Sequence, residues 1–233
     1  MKRVLGAIFY REKVIFVDRS QGTARGRFIE AHEISHRIIP AHQAFYRFDD
    51  QERVFGATKK RIDAEADMGA AELLFQGDLF VRMALDYEVS IAAPIGLAST
   101  FGVSLTAAVR HYAVYHPDPV CVIVAGLHPR ADGTVPVWGT HDSPGFRTHF
   151  GSAARLFPRG MPATDSDAGV GLVAQQARGF ADVASGAVVL TDLRGELREL
   201  KAEAFCNQRV VLVMLVDARA ARAIGRRISV RGG

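Results

Sequence analysis

The segment from Arg27 to His36 contains the pattern that most restricts how this chain can fold. It carries His32, Glu33 and His36 in the order H-E-x-x-H. On an α-helix, residues four positions apart share a face, so both imidazoles point the same way. Neutral imidazoles held side by side bind a divalent metal, and zinc fits best. The pattern therefore predicts a metal-binding helix over about residues 27–39.

Glu33 lies one step round this helix from His32. Its carboxylate can reach a water on the metal without binding the metal itself, and can accept that water's proton while the metal polarises a peptide carbonyl. This is the zincin arrangement. The alternative is a solvated helix with two surface histidines. The apolar neighbours argue against that alternative, since they predict a half-buried helix: Phe28, Ile29, Ile34, Ile38 and Ile39.

Composition places the chain among ordinary globular proteins. Of 233 residues, 48% are hydrophobic and 23% charged, and the net charge of +4 does not by itself indicate nucleic acid. The two cysteines, Cys121 and Cys206, lie in apolar runs without metal-binding spacing, so we expect buried free thiols and a reducing compartment. No run approaches the length of a membrane span and no signal peptide is evident, so we expect no membrane contact and a cytoplasmic location.

The first part of the chain divides at glycine and proline residues. Two β-rich runs, residues 4–10 and 14–18, predict a hairpin. Residues 19–26 read as a loop because of their two glycines. Pro40 should end the helix that carries the histidines. Residues 41–56 read as an aromatic-rich connector.

A second helix is predicted over about residues 58–75. Gly69, Ala70 and Ala71 are small, so another helix can approach closely, and we infer that this is the helix bearing His32. Asp63 and Asp67 are four residues apart and share one face of this second helix.

These two stretches together resemble a known family. Gly26–His36 followed by Asp63–Leu74 is similar to the pattern of the ImmA/IrrE metallopeptidases, r-F-x-x-A-H-E-x-x-H and then E-x-E-A-N-x-x-A-A-x-L-L. The resemblance covers about residues 1–115. The sequences A-H-E-I-S-H and G-A-A-x-L-L are most similar to the IrrE branch of radiation-response regulators.

The resemblance implies that the first acid of the second motif is the third metal ligand. That position is Asp63, where the family usually has glutamate. Aspartate is shorter by one methylene, so the helices would have to approach by about 1.5 Å more, or a water would intervene. Glu65 is the alternative third ligand, although helix spacing groups it with Glu72 on an exposed face. Asp67 suits a carboxylate that orients a ligating imidazole; the alternative is a solvated helix charge.

Residues 95–115 read as helix, tight turn and helix, and they resemble a helix-turn-helix. One interpretation is DNA contact through Arg110 or His111, and the other is a helical lid on the peptidase domain. The second of these helices has one arginine and no lysine, so we do not expect direct nucleic-acid binding. His111 and His116 could equally line a cleft and stabilise an oxyanion.

Residues 116–119 form the clearest linker, and an α+β module of about a hundred residues follows. Strands are predicted over 120–127, 134–138, 186–190 and 209–216, and a helix over 167–184; the last strand is continuously apolar and should be central in its sheet. The resemblance to the IrrE branch implies a GAF-like sensory domain here. Scattered histidines and a tryptophan could contact a ligand, although surface or packing roles are the alternative: His128, Trp138, His141 and His149. The tail is basic, which fits either a solvated terminus or a partner contact: Arg219, Arg222, Arg226, Arg227 and Arg231.

Together these patterns predict an α+β protein. Residues 1–88 would form a zincin-like metallopeptidase domain, 89–116 a helix-turn-helix-like helical segment, and 117–233 a GAF-like domain. The resemblance implies a zinc endopeptidase, with manganese or iron as alternative metals, whose substrate is a helix-turn-helix transcriptional repressor; cleavage would derepress stress or DNA-damage genes. The alternative is a non-enzymatic DNA-binding or ligand-sensing transcriptional regulator with a structural metal site.

Overall fold

The computed structural model describes residues 5–47, 56–158, 160–162, 169–179 and 182–217. The basic tail therefore lies outside the described residues. The helices are α1 (Thr23–Ile38), α2 (Pro40–Arg47), α3 (Gly56–Phe75), α4 (Leu79–Ala84), α5 (Ala92–Phe101), α6 (Leu105–Tyr115), α7 (Pro144–Phe150), α8 (Ala153–Leu156) and α9 (Val170–Ala177). The strands are β1 (Gly6–Phe9), β2 (Val14–Val17), β3 (Val120–Ala125), β4 (Thr134–Val135), β5 (Val137–Asp142), β6 (Met161–Pro162), β7 (Ala184–Thr191), β8 (Leu197–Cys206) and β9 (Val211–Val216). The predicted α+β class is confirmed.

Contacts divide the chain into two compact units. The first comprises Met1–Arg82 and Ala98–Ser104, and the second comprises Met83–Leu97 and Leu105–Gly233. Helix α5 contributes to both units. The predicted domain boundaries at residues 88 and 116 remain a prediction.

In the first unit, the predicted hairpin is confirmed as β1 and β2, which pair antiparallel from Gly6 with Val17 to Phe9 with Val14. The predicted loop over residues 19–26 is wrong, because α1 begins at Thr23 and a short 3-10 turn precedes it. Gly22, with φ +84°, makes the turn into the helix, and Ala24 and Arg25 are good helix formers. Gly22 is therefore the residue just before α1, and Gly26 lies within the helix, which begins four residues earlier than predicted.

Pro40 both ends one helix and begins the next. Ile39, the residue before it, is extended (φ −80°, ψ 114°), as the proline ring requires, and α1 ends at Ile38. Pro40 then occupies the first position of α2, where its missing N–H costs nothing. The connector predicted over residues 41–56 is therefore helical as far as Arg47.

Helices α1 and α3 pack against each other where α3 carries small residues. A Cβ on Gly69 would lie 2.7 Å from Ser35 Oγ and 2.9 Å from Ser35 Cβ. Ala66 and Ala70 are fully buried on the same helix. The prediction that small residues on this helix admit the histidine-bearing helix is confirmed.

An aromatic cluster and a glycine turn complete the described core of this unit. The rings of Phe75, Phe80 and Phe101 pack with centroids 5.0, 5.1 and 6.5 Å apart. Gly102, with φ +61°, makes the predicted turn after α5, and a Cβ there would overlap the guanidinium of Arg27. The predicted break over residues 89–94 is shorter than expected, since α5 already begins at Ala92.

The second unit is built on a five-stranded antiparallel sheet in the order β5-β3-β9-β8-β7. Strand β9 is central, as its apolar run predicts, and β3 and β9 are buried along their whole lengths. Residues of α7, α8 and α9 join one core with alternate residues of the sheet, while α6 contacts β3 and β5.

Two sequence predictions for this unit are corrected, and one strand was missed. The single strand over residues 134–138 is two strands, β4 and β5, separated by Pro136, which has no N–H for a ladder. The helix predicted over 167–184 is described only from Val170 to Ala177, and β7 begins at Ala184 because it pairs with β8. Strand β8 itself was not predicted, since most of its residues are good helix formers: leucine, arginine, glutamate, lysine and alanine.

Both cysteines are free; Cys121 is buried and Cys206 is half-buried. Among the described residues, no single helix has the length and apolar character to cross a membrane. Helices α5 and α6 meet those criteria only as a bent pair, on length and composition alone.

Candidate metal centre

The two histidines of α1 face each other across one helical turn. His32 Nε2 and His36 Nε2 are 3.0 Å apart, and the rings meet edge to face with centroids 4.7 Å apart. His36 is almost fully buried, at 3% exposure, whereas His32 is half-buried. The predicted alignment of the two imidazoles is therefore present.

Asp63 of α3 brings an oxygen to the same point. Its Oδ1 atom lies 3.9 Å from His36 Nε2, and the donor atoms of His32, His36 and Asp63 all lie within 4.8 Å of one another. Ligand atoms of tetrahedral zinc, at about 2.0–2.1 Å from the metal, are roughly 3.3 Å apart. Small adjustments of the Asp63 side chain would bring the three donors to that spacing. The shorter aspartate needs the two helices to lie close together, and α1 and α3 do so at Gly69 and Ser35.

The protonation of the rings fits a cation at this point. Asp67 Oδ1 lies 2.8 Å from His32 Nδ1, and an ionised carboxylate can only accept, so Nδ1 carries the proton. A neutral His32 ring then presents a lone pair at Nε2. Burial, followed by the neighbouring His32 and His42 rings, lowers the pKa of His36 to about 4, so the His36 ring is neutral at pH 7. Two imidazoles and a carboxylate suit zinc, and they also suit manganese or iron.

Glu33 lies beside this group as a buried carboxyl, at 9% exposure. Burial raises its pKa, His32 opposes the shift, and Asp63 adds to it. A carboxylate with a raised pKa is a better proton acceptor near neutral pH. Strand β1 passes directly over this residue, since a Cβ on Gly6 would lie 2.8 Å from Glu33 Oε1.

Glu65, the alternative third ligand, faces elsewhere. Its Oε2 atom lies 3.1 Å from His42 Nε2, and its Oε1 atom accepts from Arg61 Nε at 2.9 Å. These bonds, with Arg61 first and His42 second, lower the pKa of Glu65. It is half-buried against α2 rather than lying on an exposed face. Glu65 is not among the residues whose donor atoms converge at His36; within the described part of the chain, those residues are His32, His36 and Asp63.

His42 is the site residue that sequence reasoning missed. It lies in α2, is fully buried, and has its Nδ1 atom 3.0 Å from His36 Nδ1. The available signal was a third histidine six residues after His36, just beyond the proline. It was overlooked because residues 41–56 were read as an irregular connector.

The remaining candidate histidines belong to the second unit and do not join this group. His116 Nδ1 accepts from the Asp118 N–H at 3.1 Å, and the His111 ring packs on Tyr115 with centroids 4.5 Å apart. Burial lowers the pKa of both histidines to about 4. Arg110, which was considered for DNA contact, is exposed on α6. The predicted ligand contacts are dispersed: His128 and Trp138 are exposed, and His141 and His149 are half-buried.

Comparisons with known proteins give a family for the first part of the chain and a similar fold for most of it. Residues 3–111 match the family model of the peptidase M78, IrrE N-terminal-like domain, which confirms the resemblance to the ImmA/IrrE family. A solved structure described as a Mycobacterium tuberculosis transcriptional regulator is similar in fold, with a TM-score of 0.54 and 14% identity; the match covers 94% of this chain and 73% of that one. No curated protein matches this sequence.

Proposed function

From the IrrE N-terminal-like domain and the metal-binding group inside it, we propose that this protein is a zinc-dependent endopeptidase. Its substrate would be a helix-turn-helix transcriptional repressor, and cleavage would derepress stress or DNA-damage response genes. The second unit would be a GAF-like sensory module that gates the activity. The free cysteines fit a cytoplasmic, reducing location.

One observation carries the proposal. Two imidazoles from one helix and a carboxylate from another converge within 4.8 Å, and a buried glutamate lies next to them. A structural zinc site normally has four protein ligands, whereas a catalytic site has three and keeps a position open. The described residues supply three, which favours catalysis.

The residues have separable roles in this proposal. His32, His36 and Asp63 would hold the ion, and Asp67 would keep His32 in the ligating tautomer through the 2.8 Å contact with its Nδ1 atom. When bound, zinc supplies Lewis-acid polarisation of the scissile carbonyl and acidifies a nearby water. Glu33 accepts a proton from the attacking water and returns it to the leaving amine nitrogen.

The environment of Glu33 supports that role. Removal from water raises its pKa, which strengthens it as a base, and the same burial keeps bulk water from competing for its proton. Gly6 leaves the space that the carboxylate occupies, because any larger side chain would meet Glu33 and Ile29. The β1–β2 hairpin and α1 therefore enclose the Glu33 carboxylate together.

The similar solved structure favours a second candidate. Because that protein is described as a transcriptional regulator, the chain could act without proteolysis, as a DNA-binding or ligand-sensing regulator whose metal is structural. Direct DNA binding would require basic side chains beyond Arg110 on the exposed face of α6, and the basic tail is the other source.

The deciding experiment is incubation of the purified full chain with a candidate repressor, such as one encoded beside it, with fragments identified by mass. We expect cleavage with zinc and none after chelation. Glu33→Gln should retain zinc and lose at least about 100-fold in rate, because the amide cannot accept the proton. Undiminished cleavage by Glu33→Gln would remove this residue from the mechanism. Repressor-independent DNA binding at physiological salt, with no fragments in any condition, would favour the second candidate.

A further inference from the structure

His42 is a fully buried histidine whose two ring nitrogens both have partners. Its Nδ1 atom lies 3.0 Å from His36 Nδ1, and its Nε2 atom lies 3.1 Å from Glu65 Oε2. It contributes no donor to the metal-binding group of His32, His36 and Asp63. Its position therefore calls for a role other than ligation.

With Glu65 ionised and one proton on each ring, the contacts decide where each proton lies. A carboxylate accepts only, so the Nε2 atom of His42 must carry a hydrogen and donate it to Glu65. A His42 ring with its one proton on Nε2 is an acceptor at Nδ1, and the Nδ1–H of His36, 3.0 Å away, donates to it. A neutral His36 with its proton on Nδ1 has its lone pair on Nε2, the atom that faces His32 and Asp63.

We propose that His42 and Glu65 form a positioning relay that fixes the tautomer and ring orientation of His36 for metal binding. Glu65 thus acts on the metal through two imidazoles and is not itself a ligand. This inference rests on the proposed function insofar as it concerns a bound metal. It gives α2, which the sequence left unassigned, a defined task.

The depth of His36 explains why a relay is needed. His32 lies near the surface and receives a carboxylate directly, from Asp67, whose side chain is 57% exposed. His36 is only 4% exposed at its side chain, and its Nδ1 atom faces α2 rather than α3. An imidazole between His36 and Glu65 spans that gap while leaving no buried nitrogen unpaired, which a buried polar network requires. Arg61 holds the outer end of the relay through Glu65 Oε1.

The test compares zinc affinity among full-length variants by competition with a chelator of known affinity. His42→Leu removes both relay bonds, Glu65→Ala removes the terminal acceptor, and His42→Asn retains an oxygen that can accept from His36 Nδ1–H. Glu72→Ala is the matched control, because Glu72 is an exposed carboxylate of the same helix outside the relay. We expect His42→Leu and Glu65→Ala to weaken zinc binding by about 10-fold to 100-fold, His42→Asn to lie between them and the parent chain, and Glu72→Ala to be unchanged.

The double variant His42→Leu/Glu65→Ala separates a relay from direct ligation. In a relay, Glu65 has no effect once His42 is gone, so the double variant should bind zinc no more weakly than His42→Leu. If Glu65 were a ligand, the two losses would multiply, and the proposal would be overturned. Parental affinity in both single variants would overturn it equally.

A second readout needs no metal. Nitrogen-15 NMR of the histidine rings in the metal-free chain should show His36 protonated at Nδ1 and His42 at Nε2, with the His36 assignment lost in Glu65→Ala. Should the parent chain bind no zinc, the proposed function fails while this measurement still decides the relay. A His36 ring protonated at Nε2 in the parent chain would refute it. Circular dichroism identifies any variant that does not fold, and Glu65→Ala, at a half-buried position, remains decisive if His42→Leu is one of them.

Discussion

The α1–α3 helix pair buries polar residues beside its apolar ones, whereas strands β3 and β9 of the second unit bury apolar residues almost exclusively. Strands β3 and β9 are buried along their whole lengths and are entirely apolar, apart from the thiol of Cys121. Helix α1 instead buries Glu33, Ser35 and His36. Burying a polar group lowers stability unless it is hydrogen-bonded, whereas burying an apolar one raises it.

The second unit pairs the charges that it buries. Glu203 of β8, for example, accepts from the Ile91 N–H at 2.7 Å. Arg198 donates to Asp192 at 2.8 Å and lies 3.3 Å from Asp217, both of which are nearly fully buried. In the helix pair, the polar groups occupy the centre and their geometry is specific. The difference teaches that the sheet stabilises the second unit, while α1 and α3 give up stability to hold donor atoms in place. Substitutions should therefore affect metal affinity in one region and stability in the other.

The largest expected effect is on the metal site. Asp63→Ala removes one of three donors, so zinc affinity should fall by more than about 100-fold, a larger loss than that from an outer-shell change. Chelator competition measures it, with the stability of the second unit unchanged in urea unfolding. Retained affinity in Asp63→Ala, together with a complete loss in Glu65→Ala, would make Glu65 the third ligand.

A substitution in the sheet should have the converse effect, a loss of stability without a change in zinc affinity. Leu212→Ala in β9 removes a fully buried side chain and should lower the free energy of unfolding by about 2–5 kcal/mol, because the surrounding strands cannot close the cavity. Zinc affinity should not change. Leu197→Ala in the same sheet is the control, since Leu197 is 73% exposed and its truncation should cost less than about 0.5 kcal/mol. A loss of zinc binding in Leu212→Ala would break the contrast between the two regions.

A smaller effect is expected where α3 touches α1. Gly69→Ala would place a methyl group 2.7 Å from Ser35 Oγ, so the helices must shift at a cost of about 1–3 kcal/mol. Zinc binding should weaken with it, because Asp63 moves away from His36. Gly96→Ala in α5 meets nothing within 4 Å, and it should be neutral or stabilise by up to about 1 kcal/mol. Equal behaviour of the two variants would show that close helix approach is not needed.

The smallest effect is a pH dependence of the second unit. Burial lowers the pKa of His116 to about 4 in the folded chain, against 6.5 as its ordinary value. The unfolded chain then binds a proton that the folded one does not, so stability is lost as pH falls from 6.5 towards 4. Between pH 6 and pH 5 the loss from this residue should be about 1 kcal/mol.

His116→Gln should reduce that slope in urea unfolding, and His128→Gln, at an exposed position, should leave it unchanged. An unchanged slope in His116→Gln would show that this histidine does not remain neutral when folded. His36, whose pKa is lowered in the same direction, should add a second acid-sensitive step that zinc displaces to lower pH, because a metal and a proton compete for its ring.

Sequence reasoning reached the elements with strong periodic or punctuation signals. The hairpin, the helix end at Pro40, the long helix α3 and the central strand β9 were all predicted, because each follows from spacing, proline chemistry or an apolar run. Strand β8 was missed, since its residues are mostly good helix formers and its pairing with β7 and β9 overrides that local preference. The start of α1 was misplaced because Gly22 was read as a loop rather than as the residue that begins the helix.

The site shows the same division. The H-E-x-x-H spacing determined by itself that His32 and His36 share a helix face with Glu33 beside them, because that follows from helical geometry alone. Only the tertiary structure decided that Asp63 rather than Glu65 lies with them, and that His42 contacts His36. Those choices depend on which faces of α2 and α3 pack against α1. Packing between segments that are distant in sequence is set by how residues such as Gly69 and Ser35 fit together, and local periodicity does not encode that fit.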